Sequence, residues 1–274
     1  MLHREVGGTT RVRISRSHQA IIPDGPASYA RPMTTRPATV LLACGGAGLV
    51  GFVAVAVLVS RHPGPSGLDS VVLAAVARDR TPELAAVFAV LTYFGDVLVW
   101  APIALVVGGI LARQTRAAAP LVLPAVAGVG SAAAITITKL LVQRPRPDQA
   151  LATVAEENSG FPSAHATNSA AVYLLLAVLL LAVLRATWLR VATWSAAGLV
   201  VVAVGASRVV LGVHSPTDVL GGWLLAVSLL AVLLGGASLR RDVTVRSPPA
   251  TGRAGPRGAP PGSGAPSPPD RRWS

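Results

Sequence analysis

Six long apolar blocks dominate the chain, at 39–60, 91–112, 119–142, 164–184, 190–210 and 217–237, each closed by charge or by Pro and Gly. A helix needs about 20 residues to cross the hydrocarbon core of a bilayer. No water is there to bond the backbone, so each crossing segment must satisfy its own amides and becomes a helix. The expected fold is all-α: a polytopic membrane helical bundle with six transmembrane helices. Composition agrees, with 52% hydrophobic and only 13% charged residues, where soluble domains carry roughly a quarter. Aromatics are 4%, so the apolar content is Ala, Val and Leu. Cys44 is the one cysteine, which excludes a disulfide scaffold. A mixed stretch at 68–89, with Arg78, Asp79, Arg80 and Glu83 among its apolar residues, reads as an interfacial helix.

The ends differ from the core. Residues 1–37 form a basic, irregular arm expected to be disordered, in which Met33 is a second candidate start. The six-span domain is expected over 38–240, and 241–274 reads as a disordered Pro, Gly and Arg-rich tail. The net charge of +12 suggests nucleic acid only if the cations share a soluble face. Here they sit between and outside the apolar blocks, so the expected partners are the lipid bilayer and a membrane lipid substrate, with no nucleic acid. Seventeen of the 24 Lys and Arg residues lie in the two tails and the loops near 113–118 and 185–190; the opposite side holds Arg61, Arg78, Arg80, Lys139, Arg144, Arg146 and Arg208. The positive-inside rule then gives a multi-pass plasma-membrane protein with both termini cytoplasmic. Block one is too long for a cleaved signal peptide, and the run after Cys44 is on the wrong side for a lipoprotein signal.

Three strings are polar where the chain is otherwise apolar: Lys139 to Pro147, Phe161 to His165, and Ser207 to Asp218. The topology puts all three at the extracytoplasmic ends of spans three to six, where they can converge. Lys139 is the one lysine in the chain and lies in or at the end of a span, where a cation is costly without a partner or a role. Lys139, Arg146 and Arg208 are three cations suited to a phosphate. Ser163 and the amides at the start of span four add donors at a helix N-terminus. His165 and His214 can divide attack on phosphorus from protonation of the departing oxygen. Ser215 can cap the sixth span with Pro216 in its first turn, which lets Asp218 turn back to His214 and fix its tautomer.

Lys139…Arg146-Pro147, Pro162-Ser163-Ala164-His165 and Ser207-Arg208…His214…Asp218 together resemble the signature of the type 2 phosphatidic acid phosphatase (PAP2) superfamily, membrane lipid phosphatases that share their site with vanadium haloperoxidases. The order and the first and third spacings match fully, and the resemblance covers roughly 65–237. It implies that Lys139, Arg146, Ser163, the Ala164 amide and Arg208 bind phosphate, with Pro147, Pro162 and Ser207 supporting them. It implies His214 as nucleophile, His165 as general acid and Asp218 as the group orienting His214. Hydrolysis would run through a phosphohistidine with no metal or cofactor, and no cluster with metal-ligand spacing is visible in the sequence. Ala164 stands where the family usually has Gly; a helical backbone there tolerates it. Polyprenyl diphosphate, phosphatidic acid and phosphatidylglycerol phosphate are the substrate classes that fit. A phosphotransferase using the same intermediate, and a transporter or scaffold, are the alternatives. Charges clustered at one end, and not at the midplane, favour surface chemistry over transport.

Other polar residues read more plainly. Arg144 is expected to be a span-flanking cation, Asp96 a cap, and Glu156 and Glu157 solvated. Trp223 and Trp100 fit an interfacial aromatic belt, and Cys44 a small buried apolar residue. His3, His18 and His62 carry no expected role.

Overall fold

The structure, a computed structural model, describes residues 35–65, 67–154, 156 and 158–246. The regular elements among these residues are all helices, with no strand: α1 Thr35–Arg61, α2 Leu68–Asp79, α3 Pro82–Leu91, α4 Val97–Thr115, α5 Ala119–Val142, α6 Ala164–Leu181, α7 Thr187–Val210 and α8 Pro216–Arg246. Six of them (α1 and α4 to α8) are long and apolar enough to cross a membrane. The expected six-span, all-α bundle is the observed one. The arm expected to be disordered lies outside the described residues except at its end, where α1 already begins at Thr35. The tail from 247 onward, and Glu157, lie outside them too.

Three boundaries differ from expectation. The 68–89 stretch is two helices, because Thr81 caps α3 by accepting from the Leu84 amide at 3.2 Å and Pro82 can only begin a helix. The second span starts at Val97 and not at 91. Its N-cap is Asp96, whose Oδ1 accepts the Leu98 amide at 2.8 Å, so the expected cap is present. The last helix runs to Arg246, past the expected domain end at 240.

Burial shows which helices form the centre. About half of the spanning window is buried in α6 (56%) and α8 (50%), against 17–28% in the other four spans. Lipid is as apolar as leucine, so helices in a bilayer associate through close packing more than through hydrophobic transfer. The residues at the centre are accordingly small: Ala166, Ala170, Ala171 and Ala177 of α6 and Ala226 of α8 are nearly fully buried. Trp100 and Trp223 belong to this packing and not to a lipid-facing belt. Trp100 is 9% exposed and lies over Gly128, and Trp223 lies over Gly205. Cys44, in contrast to its expected burial, is exposed on α1.

The two short helices close one end. α3 packs on α7, and α2 touches α7 and α8. Arg80, in the joint between them, donates from Nη1 to Leu151 O at 2.8 Å and to Val210 O at 2.9 Å. That ties the α5–α6 loop to the end of α7. Gly212 makes the turn into α8 at φ +74°, a left-handed backbone that favours glycine. At this end α5 and α7 finish and α6 and α8 begin, so all three polar strings meet there.

Candidate active site

A cavity of about 940 Å³ opens at this end. Lys139, Arg146, His165 and His214 line it, together with Glu156, Ser159 and an apolar side made by Ile135, Leu140 and Ala164. The motifs, far apart in sequence, are thus brought to one place. Arg208, Ser163 and Asp218 lie behind its wall and are at most 2% exposed.

The histidine at the base is held from both sides. His214 follows Gly212 in the α7–α8 turn, and its amide donates to Arg208 O at 3.1 Å. Its Nε2 lies 3.2 Å from Arg146 Nη1. A guanidinium can only donate, so Nε2 carries the lone pair and Nδ1 the proton. Asp218 Oδ2 lies 3.4 Å from Nδ1, a carboxylate facing the N–H of the ring at a distance too long for a well-formed hydrogen bond. The Asp218 orientation comes from the start of α8. Its Oδ2 accepts the Ser215 amide at 2.8 Å, the backward half of a capping box, and Pro216 occupies the first helical turn as expected. Burial pushes the His214 imidazole down to about 4, against the opposing pull of Asp218, so the ring is neutral at pH 7.

Backbone carbonyls orient Arg146 and Lys139, and side-chain oxygens orient Arg208. Arg146 donates from Nε to Asn158 O at 2.6 Å and from Nη1 to Val213 O at 2.8 Å. Arg208 reaches Thr92 Oγ1 from Nη1 at 2.9 Å. Lys139 Nζ donates to Ser159 O at 2.5 Å. Burial lowers the pKa of Arg146, and Glu156 and Asp218 oppose that shift. Ser163 Oγ and Arg208 Nε are buried donors with no partner among the described residues. Ala164 opens α6 in ordinary helical conformation, so its methyl group brings no backbone strain. Pro162 follows a cis peptide bond, and Phe161 is fully buried against Gly221 of α8. Pro147 is buried beside the cavity. Ser207 does not reach the cavity; its hydroxyl bonds Val204 O of its own helix at 2.7 Å.

Four residues escape the sequence reading. Glu156 is not a free solvated acid: partly buried, its carboxylate bridges Arg146 Nη2, at 3.0 Å, and Arg208 Nη2. Burial raises its pKa, but the two arginines outweigh that and hold the carboxyl below its usual range. Arg144 is not a span-flanking cation. It is 2% exposed and paired with both Asp69, at 2.8 Å, and Asp218, at 2.6 Å. Removing one member of such a buried pair costs about 3–5 kcal/mol. Asp69 carries no sequence signal beyond an acid in the first turn of α2. Gly95 lies against His165, where an added Cβ would come within 2.8 Å of the His165 Cβ.

The chain also has relatives among known proteins. The PAP2 superfamily model matches residues 120–241. A decaprenylphosphoryl-5-phosphoribose phosphatase of Mycolicibacterium smegmatis is 34% identical over 163 residues, 58% of this chain and 82% of that protein. The chain belongs to the PAP2 superfamily. Another PAP2 relative, phosphatidylglycerophosphatase B of Bacillus subtilis, is 40% identical over 100 residues, 36% of this chain and about half (49%) of that protein. Among solved structures, the transmembrane PAP2-type phosphatidylglycerolphosphate phosphatase from Bacillus subtilis superposes with a TM-score of 0.64 at 26% identity, covering 71% of this chain and 96% of that one. The PAP2 assignment and the six apolar helices make this a multi-pass membrane protein.

Proposed function

We propose that this PAP2 protein is a phosphatase that hydrolyses the phosphate or diphosphate of a membrane lipid through a phosphohistidine on His214. The observation that carries the reading is the placement of His214 in the cavity, with Nε2 facing Arg146 at 3.2 Å and Asp218 behind Nδ1. Lys139, Arg146, Arg208 and Ser163 hold the phosphate oxygens. Nε2 attacks phosphorus, the bond from phosphorus to the leaving oxygen breaks, and His165 gives that oxygen its proton. His165 then takes a proton from water as the water attacks phosphorus, and the P–N bond breaks to release phosphate and restore His214. Preorganised cations facing the transferred group supply the electrostatic part of the catalysis. No step requires a metal, and among the described residues no group of three or more His, Cys, Asp or Glu side chains is placed to hold one.

A lipid substrate is supported by the cavity's apolar side. Leu140, 67% exposed, and Ile135 continue from the phosphate end along α5, a surface suited to an acyl or prenyl chain. The two relatives are named as a phosphatidylglycerophosphatase and a decaprenylphosphoryl-5-phosphoribose phosphatase, and these names support a lipid phosphate as the substrate here. The distribution of basic residues supports cytoplasmic termini and an extracytoplasmic site in the plasma membrane. The test is phosphate release by purified protein from phosphatidic acid, phosphatidylglycerol phosphate and a polyprenyl diphosphate. Release should persist in excess chelator and stop with vanadate, which adopts the five-coordinate geometry of the transferred phosphorus. Activity that vanishes with chelator and returns with a divalent metal would refute the mechanism.

A further inference from the structure

Asp69 stands outside all three motifs, on a helix that does not cross the membrane, yet it is 2% exposed. Its Oδ1 accepts the Thr217 amide at 3.0 Å, and its Oδ2 accepts the Thr217 hydroxyl at 2.6 Å and Arg144 Nη2 at 2.8 Å. Arg144 continues the chain of contacts, donating from Nη1 to Thr217 Oγ1 at 2.7 Å and to Asp218 Oδ1 at 2.6 Å. The opposite oxygen of Asp218, Oδ2, is the one that faces His214. Arg144 also fixes the loop before Ser163, because its carbonyl accepts the Gly160 amide at 2.8 Å.

We propose that Asp69 and Arg144 are positioning residues for phosphoryl transfer, aiming Asp218 Oδ2 at His214 and setting how strongly Asp218 holds the Nδ1 proton. This rests on the reading of His214 as the nucleophile. One guanidinium is shared by two carboxylates, and all three groups are nearly inaccessible to water, so little screening intervenes. Arg144 draws charge toward the Asp218 oxygen that faces away from the imidazole. Asp69 competes for the same guanidinium. Removing the Arg144 charge leaves Asp218 pulling harder on the His214 proton. Removing the Asp69 charge gives Arg144 wholly to Asp218 and weakens that pull. The two residues are bonded to each other, yet their loss acts on His214 in opposite directions. The other charged or titratable groups felt by His214 are Arg146, Arg208, Glu156 and His165. None of these is hydrogen-bonded to Asp69 or Arg144 among the described residues.

The experiment compares the full chain with Asp69→Asn and Arg144→Gln in lipid–detergent micelles, reading kcat and KM for short-chain phosphatidic acid across pH. For Arg144→Gln, kcat should fall about 10- to 100-fold, the range expected when an oriented group is displaced by a fraction of an ångström. KM should stay near that of the parent. The acid limb of kcat/KM should move to higher pH in Arg144→Gln and to lower pH in Asp69→Asn. A purely structural role would not separate the two limbs. Limbs that coincide with the parent, or that move the same way, overturn the proposal, as does a loss confined to KM. If Arg144→Gln does not give a folded protein by gel filtration, Asp69→Asn and the charge-preserving Arg144→Lys decide. Asp69→Asn should still lower the limb and Arg144→Lys should keep it at the parent's position; any other result rejects the inference. A parent that releases no phosphate, or a His214→Ala variant that retains turnover, instead sinks the phosphatase reading and this inference with it.

Discussion

Arg146 Nη1 lies 3.2 Å from His214 Nε2, so the ring nitrogen that faces the cavity is an acceptor before any substrate arrives. The tautomer needed for attack on phosphorus is the resting one. Binding has only to replace a guanidinium contact with a phosphorus atom that the same guanidinium helps to hold.

This resting state predicts a pH profile. Attack needs neutral His214, and burial holds its pKa down at about 4. The acid limb of kcat/KM should therefore fall well below the ordinary histidine value of about 6.5. Stability has the matching sign. The unfolded chain takes up the proton below about 6.5, whereas the folded ring does not until about 4, so this group's contribution is intact above 6.5 and lost as pH falls through that interval. Thermal melts from pH 7 to 4 should show a slope that His214→Gln reduces. An unchanged slope would mean that the ring is not held neutral.

The two histidines should separate by substrate. His214→Ala should abolish both turnover and any acid-labile phosphoprotein. His165→Ala should lose about 10²–10⁴ in rate on a lipid phosphate, the usual worth of a general acid, and much less on an aryl phosphate with a good leaving group. Equal losses of His165→Ala on both substrates, with turnover retained in His214→Ala, would reverse the roles.

Glu156 occupies the two guanidinium edges that a phosphate would take. Glu156→Gln should therefore tighten inhibition by vanadate or inorganic phosphate by roughly 10-fold, equivalent to about 1.4 kcal/mol. Weaker inhibition would show instead that the carboxylate aligns Arg146 and Arg208 for the substrate.

Gly95 makes room for His165, the proposed general acid, by its lack of a side chain. A Cβ there would meet Val204 Cγ1 at 2.7 Å and His165 Cβ at 2.8 Å. Gly95→Ala should cost about 1–3 kcal/mol as overpacking. It should also lower kcat on the lipid substrate more than on the aryl phosphate, because it displaces the acid and not the nucleophile. Wild-type kinetics on both substrates would mean that the neighbours yield freely.

Membrane orientation is testable with reporters. One fused after Arg246 should report the cytoplasm, and one inserted in the 148–154 loop the opposite side. The reverse pattern would move the cavity to the cytosol.

Much of the site was legible because its chemistry is local in sequence. The spacing from Lys139 to Arg146 falls within one helix end and its adjoining turn, and that from Arg208 through His214 to Asp218 runs from the end of α7 through a short turn into the first turn of α8, so both are local in sequence. The Asp69–Arg144 pair is 75 residues apart and joins two segments that only the folded bundle brings together. Nothing in the 68–89 pattern marks Asp69 as buried. Glu156 sits in an irregular loop with no periodicity to show which way it faces. Hydropathy likewise cannot distinguish a tryptophan turned to lipid from one turned to a neighbouring helix, which is why Trp100 and Trp223 were expected at an interface and are found over Gly128 and Gly205. The break between α2 and α3 could have been read from Thr81-Pro82, since that pair is a helix-start signal.

The packing of α1 bears on how the protein is made. Gly45 and Gly48 of α1 seat it against Ala231 and Ser228 of α8, and α8 is the helix it contacts most. Of the six spans among the described residues, the first in chain order therefore has its main partner in the last. Until α8 is inserted, α1 waits in the bilayer with its small-residue face open to lipid, and Asp218, which α8 carries, has not yet met His214's final surroundings. The helix that closes the bundle against α1 is thus also the one that brings Asp218 to His214, which couples the two.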